Sequence, residues 1–122
     1  MQLESLPLID IAAWSDTDPP EREWVLEGLI PASQVTLLVG AGSTGKSLLA
    51  QQLATAVASG MPFLGTRTVK GTALYVSCED DDGELHRRQH AICRALDLSS
   101  ADLSGKLLLS SLTIAGDNAL AS

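Results

Sequence analysis

The chain has 122 residues, of which 45% are hydrophobic and only 3% are aromatic. This length suits one domain with a modest aliphatic core, and the composition excludes a disordered chain. The formal net charge of −7 argues against a broad nucleic-acid-binding surface on this chain, because affinity for DNA comes largely from Lys and Arg contacts to phosphates. It leaves open a narrow basic channel, or one that forms only when subunits assemble.

Features of the whole sequence predict a cytoplasmic protein that does not enter a membrane. The N-terminal MQLESLPLID lacks both a basic region and a long apolar run, so no secretory signal is predicted. No apolar run approaches the roughly 20 residues that a membrane span needs. The two cysteines, Cys78 and Cys93, form no CxxC pair and indicate no disulfide framework.

The sequence predicts two parts of unequal size. Residues 1–20 are interpreted as an N-terminal extension and linker, because they end in SDTDPP (15–20), whose paired prolines oppose both helix and strand. Residues 21–122 are predicted to form the folded domain. Its first clear element is the β-branched apolar run at 34–40, which is typical of a strand buried on both faces.

The remaining elements predict an α/β fold with a parallel sheet flanked by helices. Residues 45–60 have helical apolar spacing, through Leu48, Leu49, Leu53, Ala56 and Val57, and stop signals follow at Gly60 and Pro62. After a loop at 61–71, a second buried strand is predicted at 72–79. A stretch that is first acidic and then basic predicts a helix at 80–98, and a third apolar run lies at 106–116. Strands that alternate with helices imply parallel pairing with right-handed crossovers.

The junction between the first strand and the first helix carries the pattern G-x-x-x-x-G-K-[ST]. The residues of the motif are Gly40, Ala41, Gly42, Ser43, Thr44, Gly45, Lys46 and Ser47. Glycines let backbone N–H groups surround a β-phosphate, Lys46 would reach the β- and γ-oxygens, and the Ser47 hydroxyl would bind Mg²⁺. A plain glycine-rich turn is the alternative, but these fixed positions match by chance in well under about one per cent of chains of this length. ATP and Mg²⁺ are therefore the predicted cofactors.

Acidic residues follow the second predicted strand, in YVSCEDDDG (75–83). The carboxyl end of a parallel strand lies on the side where open α/β sheets bind ligands, so Glu79 is a candidate to polarise an attacking water. In the alternative, Glu79 and the acids at 80–82 cap the following helix and complement its dipole. Spacing alone leaves these two interpretations equal.

Three stretches together resemble the RecA-type ATPases, especially the RepA-like hexameric helicases of plasmids and phages. They are WVLEGLIPASQVTLLVGAGSTGKS (24–47), GMPFLGTRTVKGTALYVSCED (60–80) and ELHRRQHAICRAL (84–96). The resemblance implies a P-loop NTPase fold of RecA type with an AAA-type ATPase domain. It also implies a hexameric ring of identical subunits in which ATP hydrolysis moves single-stranded DNA.

The same resemblance assigns roles to individual residues. In that family the glutamate that ends the strand after the P-loop helix is the catalytic base, and the matching position here is Glu79, which would act with Lys46. Asp80 would be a second functional acid or a helix cap. Arg87, Arg88 and Arg94 would sense nucleotide or contact a neighbouring subunit, or else form an ordinary solvated helix surface.

One family feature is missing from the sequence. A Walker B strand ends in an Asp that steadies the magnesium, but Asp117 follows a glycine, outside an apolar run that Ser110 and Ser111 interrupt. We therefore expect the chain to be the N-terminal piece of an ATPase core, through truncation or a shortened gene product, that binds ATP but hydrolyses it poorly alone. The alternatives are a non-catalytic nucleotide sensor or assembly module and, with less support, a small-molecule kinase.

Overall fold

The computed structural model of the protein describes residues 5–40 and 45–112. Its elements in chain order are a 3-10 helix (Ile11–Trp14), β1 (Trp24–Leu26), β2 (Ile30–Pro31), α1 (Lys46–Ser59), β3 (Ala73–Ser77), α2 (Asp82–Ala95), a 3-10 helix (Ser100–Leu103) and β4 (Leu107–Ser111). Within these ranges, no helix has both the length and the apolar character needed to cross a membrane.

Strands β3 and β4 form a parallel pair, in register from Ala73 opposite Leu107 to Ser77 opposite Ser111. Helix α2 lies between them in the chain, as parallel pairing requires a crossover. Helices α1 and α2 both contact this sheet and each other. The structure thus confirms the predicted fold class, a mixed α/β domain with a parallel sheet flanked by helices.

The centre of the core lies where the two helices meet the start of the sheet. Ala58 of α1, Cys93 of α2 and Leu103 form a buried cluster, and three partly buried side chains pack around it. These are Ala73, Leu98 and Leu107. Burying a side chain such as Leu103 contributes about 1.5–3 kcal/mol to folding, so this cluster holds both helices on one face of the sheet.

The predicted buried strand at 34–40 is wrong for this structure. Residues 35–40 belong to no strand, and Val35 and Leu37 are 99% and 83% exposed. An apolar run becomes a buried strand only where a neighbouring strand takes its backbone hydrogen bonds and a second layer covers its side chains. Neither the β1–β2 pair nor the β3–β4 pair includes this run, so its side chains stay exposed.

The second strand was predicted to be buried on both faces, and this is also wrong. Along β3 the side chains alternate between the covered and the open face, and Leu74 and Val76 on the open face are 65% and 47% exposed. Leu108 of β4 is similarly exposed. Apolar side chains on both faces are typical of a sheet with two covering layers, whereas α1 and α2 contact the face that Ala73 and Tyr75 share.

Helix α1 confirms the predicted helix at 45–60 within one residue at each end. Gly45 and Gly60 flank it with φ of 83° and 75°, a left-handed conformation that glycine adopts without strain. Its buried residues are Gln51, Thr55, Ala56 and Ala58, which confirms the predicted apolar position Ala56 and adds two polar residues that the apolar spacing did not predict. The predicted apolar positions Leu53 and Val57 instead line a groove of about 840 Å³ beside β1 and β3.

One element was not predicted, and two predicted elements are confirmed with shorter bounds. The sequence did not predict the β1–β2 hairpin, whose β1 is also bridged to Thr68 in the predicted loop at 61–71. The predicted helix at 80–98 is confirmed as the shorter α2, which ends at Ala95. The predicted third strand is confirmed as β4, while its residues 113–116 lie outside the described residues.

The exposure of the 35–40 run can be tested with two substitutions of the same chemistry. Leu103→Ala shortens a side chain that is 6% exposed and leaves a cavity, so it should lower the free energy of unfolding by about 2–5 kcal/mol. Leu37→Ala changes a side chain that is 83% exposed and should cost less than about 0.5 kcal/mol. Urea denaturation measures both values, and equal costs would mean that Leu37 is buried as the sequence predicted.

Candidate functional site

A cavity of about 620 Å³ lies between the N-terminus of α1 and the carboxyl end of β3. It is lined by the first residues of α1, by the turn that follows β3 and by Arg88 of α2. This volume falls within the range of about 300–1,000 Å³ that is usual for small-molecule sites. Three separate elements of the chain therefore contribute to one pocket.

The α1 side of the cavity has the properties of an anion site. Gly45 is the residue before the helix and makes no side-chain capping bond, so no side-chain cap occupies the N–H groups of the first turn. Its left-handed backbone turns the chain sharply into the helix at the cavity wall. The backbone N–H groups at a helix N-terminus point towards the wall of such a cavity, and together with the helix dipole they favour a negatively charged ligand such as a phosphate.

The predicted phosphate-binding residues are brought together in part. The Lys46 ammonium donates a hydrogen bond to the carbonyl oxygen of Gly40, so the side chain spans the two ends of the glycine-rich motif. Gly45, Lys46 and Ser47 all line the cavity. Ala41, Gly42, Ser43 and Thr44 lie outside the described residues.

The opposite wall is a turn whose backbone is held by serine hydroxyls. The N–H groups of Glu79 and Asp80 donate to Oγ of buried Ser77, at 3.3 and 2.9 Å. Oγ of Ser111, at the end of β4, donates to the carbonyl oxygen of Asp80 at 2.6 Å. Glu79 itself lines the cavity and is exposed, so its carboxylate can meet a ligand.

Asp80 is ion-paired inside the same cavity. Nη1 of Arg88 lies 3.0 Å from Oδ2 of Asp80, and the two side chains are only 14% and 18% exposed. The hydrogen bond from Arg88 lowers the pKa of Asp80; burial opposes this, while the charge of Arg88 and the Ser77 hydroxyl reinforce it. The same hydrogen bond raises the pKa of Arg88. Both groups therefore remain charged at neutral pH.

Helix capping, the alternative role for Glu79 and Asp80, belongs to another residue. The side chain of Asp81 accepts a hydrogen bond from the backbone N–H of Glu84 at 2.8 Å, which makes Asp81 the cap of α2. Asp82 and Glu84 lie in the first turn of α2 and complement its dipole. The capping alternative, which covered residues 79–82, is thus confirmed for Asp81 and Asp82 and wrong for Glu79 and Asp80.

Sequence reasoning left Arg88 undecided and did not consider Gln51. Arg87 is 71% exposed, as a solvated helix surface requires, but Arg88 points into the cavity and bonds to Gln51 of α1. The available signal was the polar pair Gln51 and Thr55, which lie one turn apart among the apolar residues in the middle of α1. Such a pair indicates a buried polar contact with a neighbouring element.

The donor atoms around the cavity fit a magnesium ion bound together with phosphates. Ser47 offers a hydroxyl oxygen and Glu79 a carboxylate oxygen, which are ligand types that Mg²⁺ prefers, whereas the Asp80 carboxylate is already bonded to Arg88. Across residues 5–40 and 45–112, no group of three or more His, Cys, Asp or Glu side chains could hold a metal alone. A magnesium ion here would take its remaining ligands from phosphates and water, as this ion commonly does.

A comparison with models of protein families finds a match over nearly the whole chain. The matching model is that of the AAA domain, and it covers residues 2–122. The match therefore includes the cavity, the glycine-rich motif before α1 and the ion pair between Asp80 and Arg88.

The ion pair predicts a pH dependence of stability. The pKa of Asp80 is below 3.8 in the folded chain, so the pair's contribution is present above that value and is lost as the pH falls through the folded pKa. Asp80→Asn should lower the free energy of unfolding by about 1–2 kcal/mol at pH 7, and the difference from the unsubstituted chain should shrink below about pH 4.

Denaturant unfolding at pH 7 and at low pH measures this difference. Asp18→Asn is the matched control, because Asp18 is exposed, belongs to no helix or strand and lies outside the cavity lining. A difference for Asp80→Asn that is unchanged between the two pH values would contradict the assignment.

Proposed function

Because the chain belongs to the AAA-domain family of nucleotide-binding ATPases, we propose that its cavity binds Mg-ATP and that Glu79 activates the water that attacks the γ-phosphate. Lys46 would neutralise charge on the β- and γ-phosphates, and Ser47 would bind the magnesium. The backbone from Gly40 to Ser47 would surround the phosphates. The family supports nucleotide binding and ATPase activity; these residue roles are our proposal.

One observation carries the proposal. A single cavity has the N-terminus of α1, with Lys46 and Ser47, on one side and Glu79 on the other. Phosphate transfer to water requires these parts together, since catalysis here consists of positioning and electrostatic stabilisation more than of covalent chemistry. A plain glycine-rich turn would need no carboxylate across the cavity.

We further propose that the working unit is a ring of identical subunits that moves on single-stranded DNA. The support is the resemblance of residues 24–96 to RepA-like helicases, and many AAA ATPases are oligomers. With a net charge of −7, one chain offers few basic residues for phosphate contacts. The DNA path would therefore form where subunits meet, and single-stranded DNA should raise the ATPase rate only of the assembled protein.

A nucleotide sensor or assembly module is the second candidate, and one observation favours it. The run at 35–40 that leads into the glycine-rich motif is exposed and joins no strand. Because this exposed apolar run adjoins the motif, nucleotide binding could change how the run associates with another chain, and no hydrolysis would be needed. This candidate predicts ATP binding coupled to a change in mass, with no release of phosphate.

The lysine can be tested through nucleotide binding. Lys46→Ala removes the cation next to the phosphates and should weaken Mg-ATP binding by about 100-fold or more. Isothermal titration calorimetry measures the affinity. Lys106→Ala is the control, since this exposed lysine lies outside the cavity lining, and equal affinities for the two variants would exclude the proposed site.

The glutamate can be tested by separating binding from turnover. Glu79→Gln keeps the size of the side chain but removes the base, so the rate of phosphate release should fall by about 10²–10⁴-fold while ATP affinity is retained. Asp82→Asn serves as the acidic control, because Asp82 is exposed and lies outside the cavity lining. Unchanged hydrolysis by Glu79→Gln would assign the water-activating role to another group, and the absence of turnover in the unsubstituted chain would favour the sensor.

A further inference from the structure

Arg88 connects the two walls of the cavity. Its Nη1 donates to Oε1 of Gln51 at 3.3 Å and to Oδ2 of Asp80 at 3.0 Å. Gln51 lies on α1, the helix that begins at the glycine-rich motif, and Asp80 lies in the turn that carries Glu79. One guanidinium nitrogen therefore bridges the phosphate side and the acidic side of the site.

The Gln51 end of this bridge is fixed. The Gln51 side chain is fully buried, and its amide nitrogen donates to the Leu85 carbonyl at 3.2 Å and to Oε1 of Gln89 at 2.9 Å. With the nitrogen committed to α2, the amide oxygen is directed towards Arg88. A buried amide with both ends paired has one low-energy orientation, so it provides a rigid anchor.

The Asp80 end of the bridge controls the turn. Oδ2 of Asp80 accepts from Arg88 and from Oγ of Ser77, and the same Ser77 oxygen accepts the N–H groups of Glu79 and Asp80. The position of the Asp80 carboxylate is thereby tied to the backbone of Glu79. Removing the guanidinium would leave Ser77 alone to hold this carboxylate.

We propose that Arg88 is a positioning residue that, anchored by Gln51 of α1, holds Asp80 and thereby keeps the Glu79 turn in place over the phosphate site. This inference rests on the proposed role of Glu79 in ATP hydrolysis. Arg88 acts through Asp80 and contacts no reacting atom. Its effect falls on the orientation of the base and leaves the affinity for nucleotide unchanged.

The neighbouring arginine provides a contrast within the same helix. Arg87 pairs with Glu84 at 3.0 Å, but these side chains are 71% and 43% exposed. Exposed pairs of this kind contribute little, because water screens the charges and both side chains lose conformational freedom. Arg87 also lies outside the cavity lining, so Arg87→Gln is a matched control for Arg88→Gln.

Steady-state kinetics with a separate binding measurement form the first test. Arg88→Gln should lower kcat by about 10–100-fold while the Kd for ATPγS, measured by calorimetry, changes by less than about twofold. Arg88→Lys keeps the charge and should recover part of the rate. Arg87→Gln should behave as the unsubstituted chain. An affinity loss as large as the rate loss would overturn the proposal, because Arg88 would then contact the nucleotide directly.

Amide hydrogen exchange is the second test and needs no turnover. The N–H groups of Glu79 and Asp80 should exchange about tenfold faster in Arg88→Gln than in Arg87→Gln, since the Ser77 hydroxyl that accepts them loses a fixed neighbour. Equal exchange rates at these two amides would overturn the proposal even if the kinetics changed. If the unsubstituted chain released no phosphate, the proposed hydrolysis would fail while this measurement still decided the role of Arg88.

A second variant covers the case in which Arg88→Gln does not fold, as judged by circular dichroism. Asp80→Asn removes the same ion pair from the turn side and leaves the contact of Arg88 with Gln51 intact. It should show the same lowered kcat, retained affinity and faster exchange at Glu79. An unchanged kcat and exchange rate in Asp80→Asn would overturn the proposal.

Discussion

The packing of α1 against α2 depends on a fully buried amide. Gln51 donates to Leu85 and Gln89 of α2, and Gln89 in turn donates to the hydroxyl of buried Thr55 at 3.0 Å. A buried polar group without a partner costs about 1–3 kcal/mol, so these contacts strongly disfavour any other rotation or shift of the two helices. Helix α1 begins at the cavity and α2 follows the acidic turn, so this one packing arrangement also sets the two walls of the cavity relative to each other.

Local signals made much of the fold predictable. Helix α1 is flanked by Gly45 and Gly60, helix α2 begins at the capping residue Asp81, and the strands β3 and β4 are short apolar runs between turn formers. The faces that these elements bury were less predictable. Apolar spacing along α1 favoured Leu53 and Val57, but the buried face also includes Gln51 and Thr55, which bond to the polar side chain of Gln89 on α2. Whether a side chain is buried depends on which elements pack against it, and the residues of a run such as 34–40 do not specify those elements.

In the candidate site, too, the residues of a local motif were predictable and the contacts that depend on packing were not. Gly45, Lys46 and Ser47 belong to a continuous motif whose chemistry depends on spacing, so the sequence alone placed them together. To predict Glu79, one also had to know that the carboxyl ends of parallel strands lie on the ligand-binding side of the sheet. The bridge from Gln51 through Arg88 to Asp80 joins residues far apart in the chain, and it depends on the rotation of α1 and α2 about their own axes. No sequence pattern specifies that rotation, and for this reason the choice among three arginines stayed open.

The exposed run that ends at Gly40 has a thermodynamic consequence for any association of the chain with a neighbour. Covering Val35 and Leu37 would remove apolar surface from water, which favours association by about 25 cal/mol for each Å² that is buried. The run ends at the carbonyl that accepts the Lys46 ammonium, and Lys46 lines the cavity, so a neighbour that covers the run would be coupled to the cavity through this hydrogen bond. Coupling of this kind is reciprocal. If a covering neighbour raises the affinity of the chain for nucleotide by some factor, then bound nucleotide raises the affinity of the chain for that neighbour by the same factor.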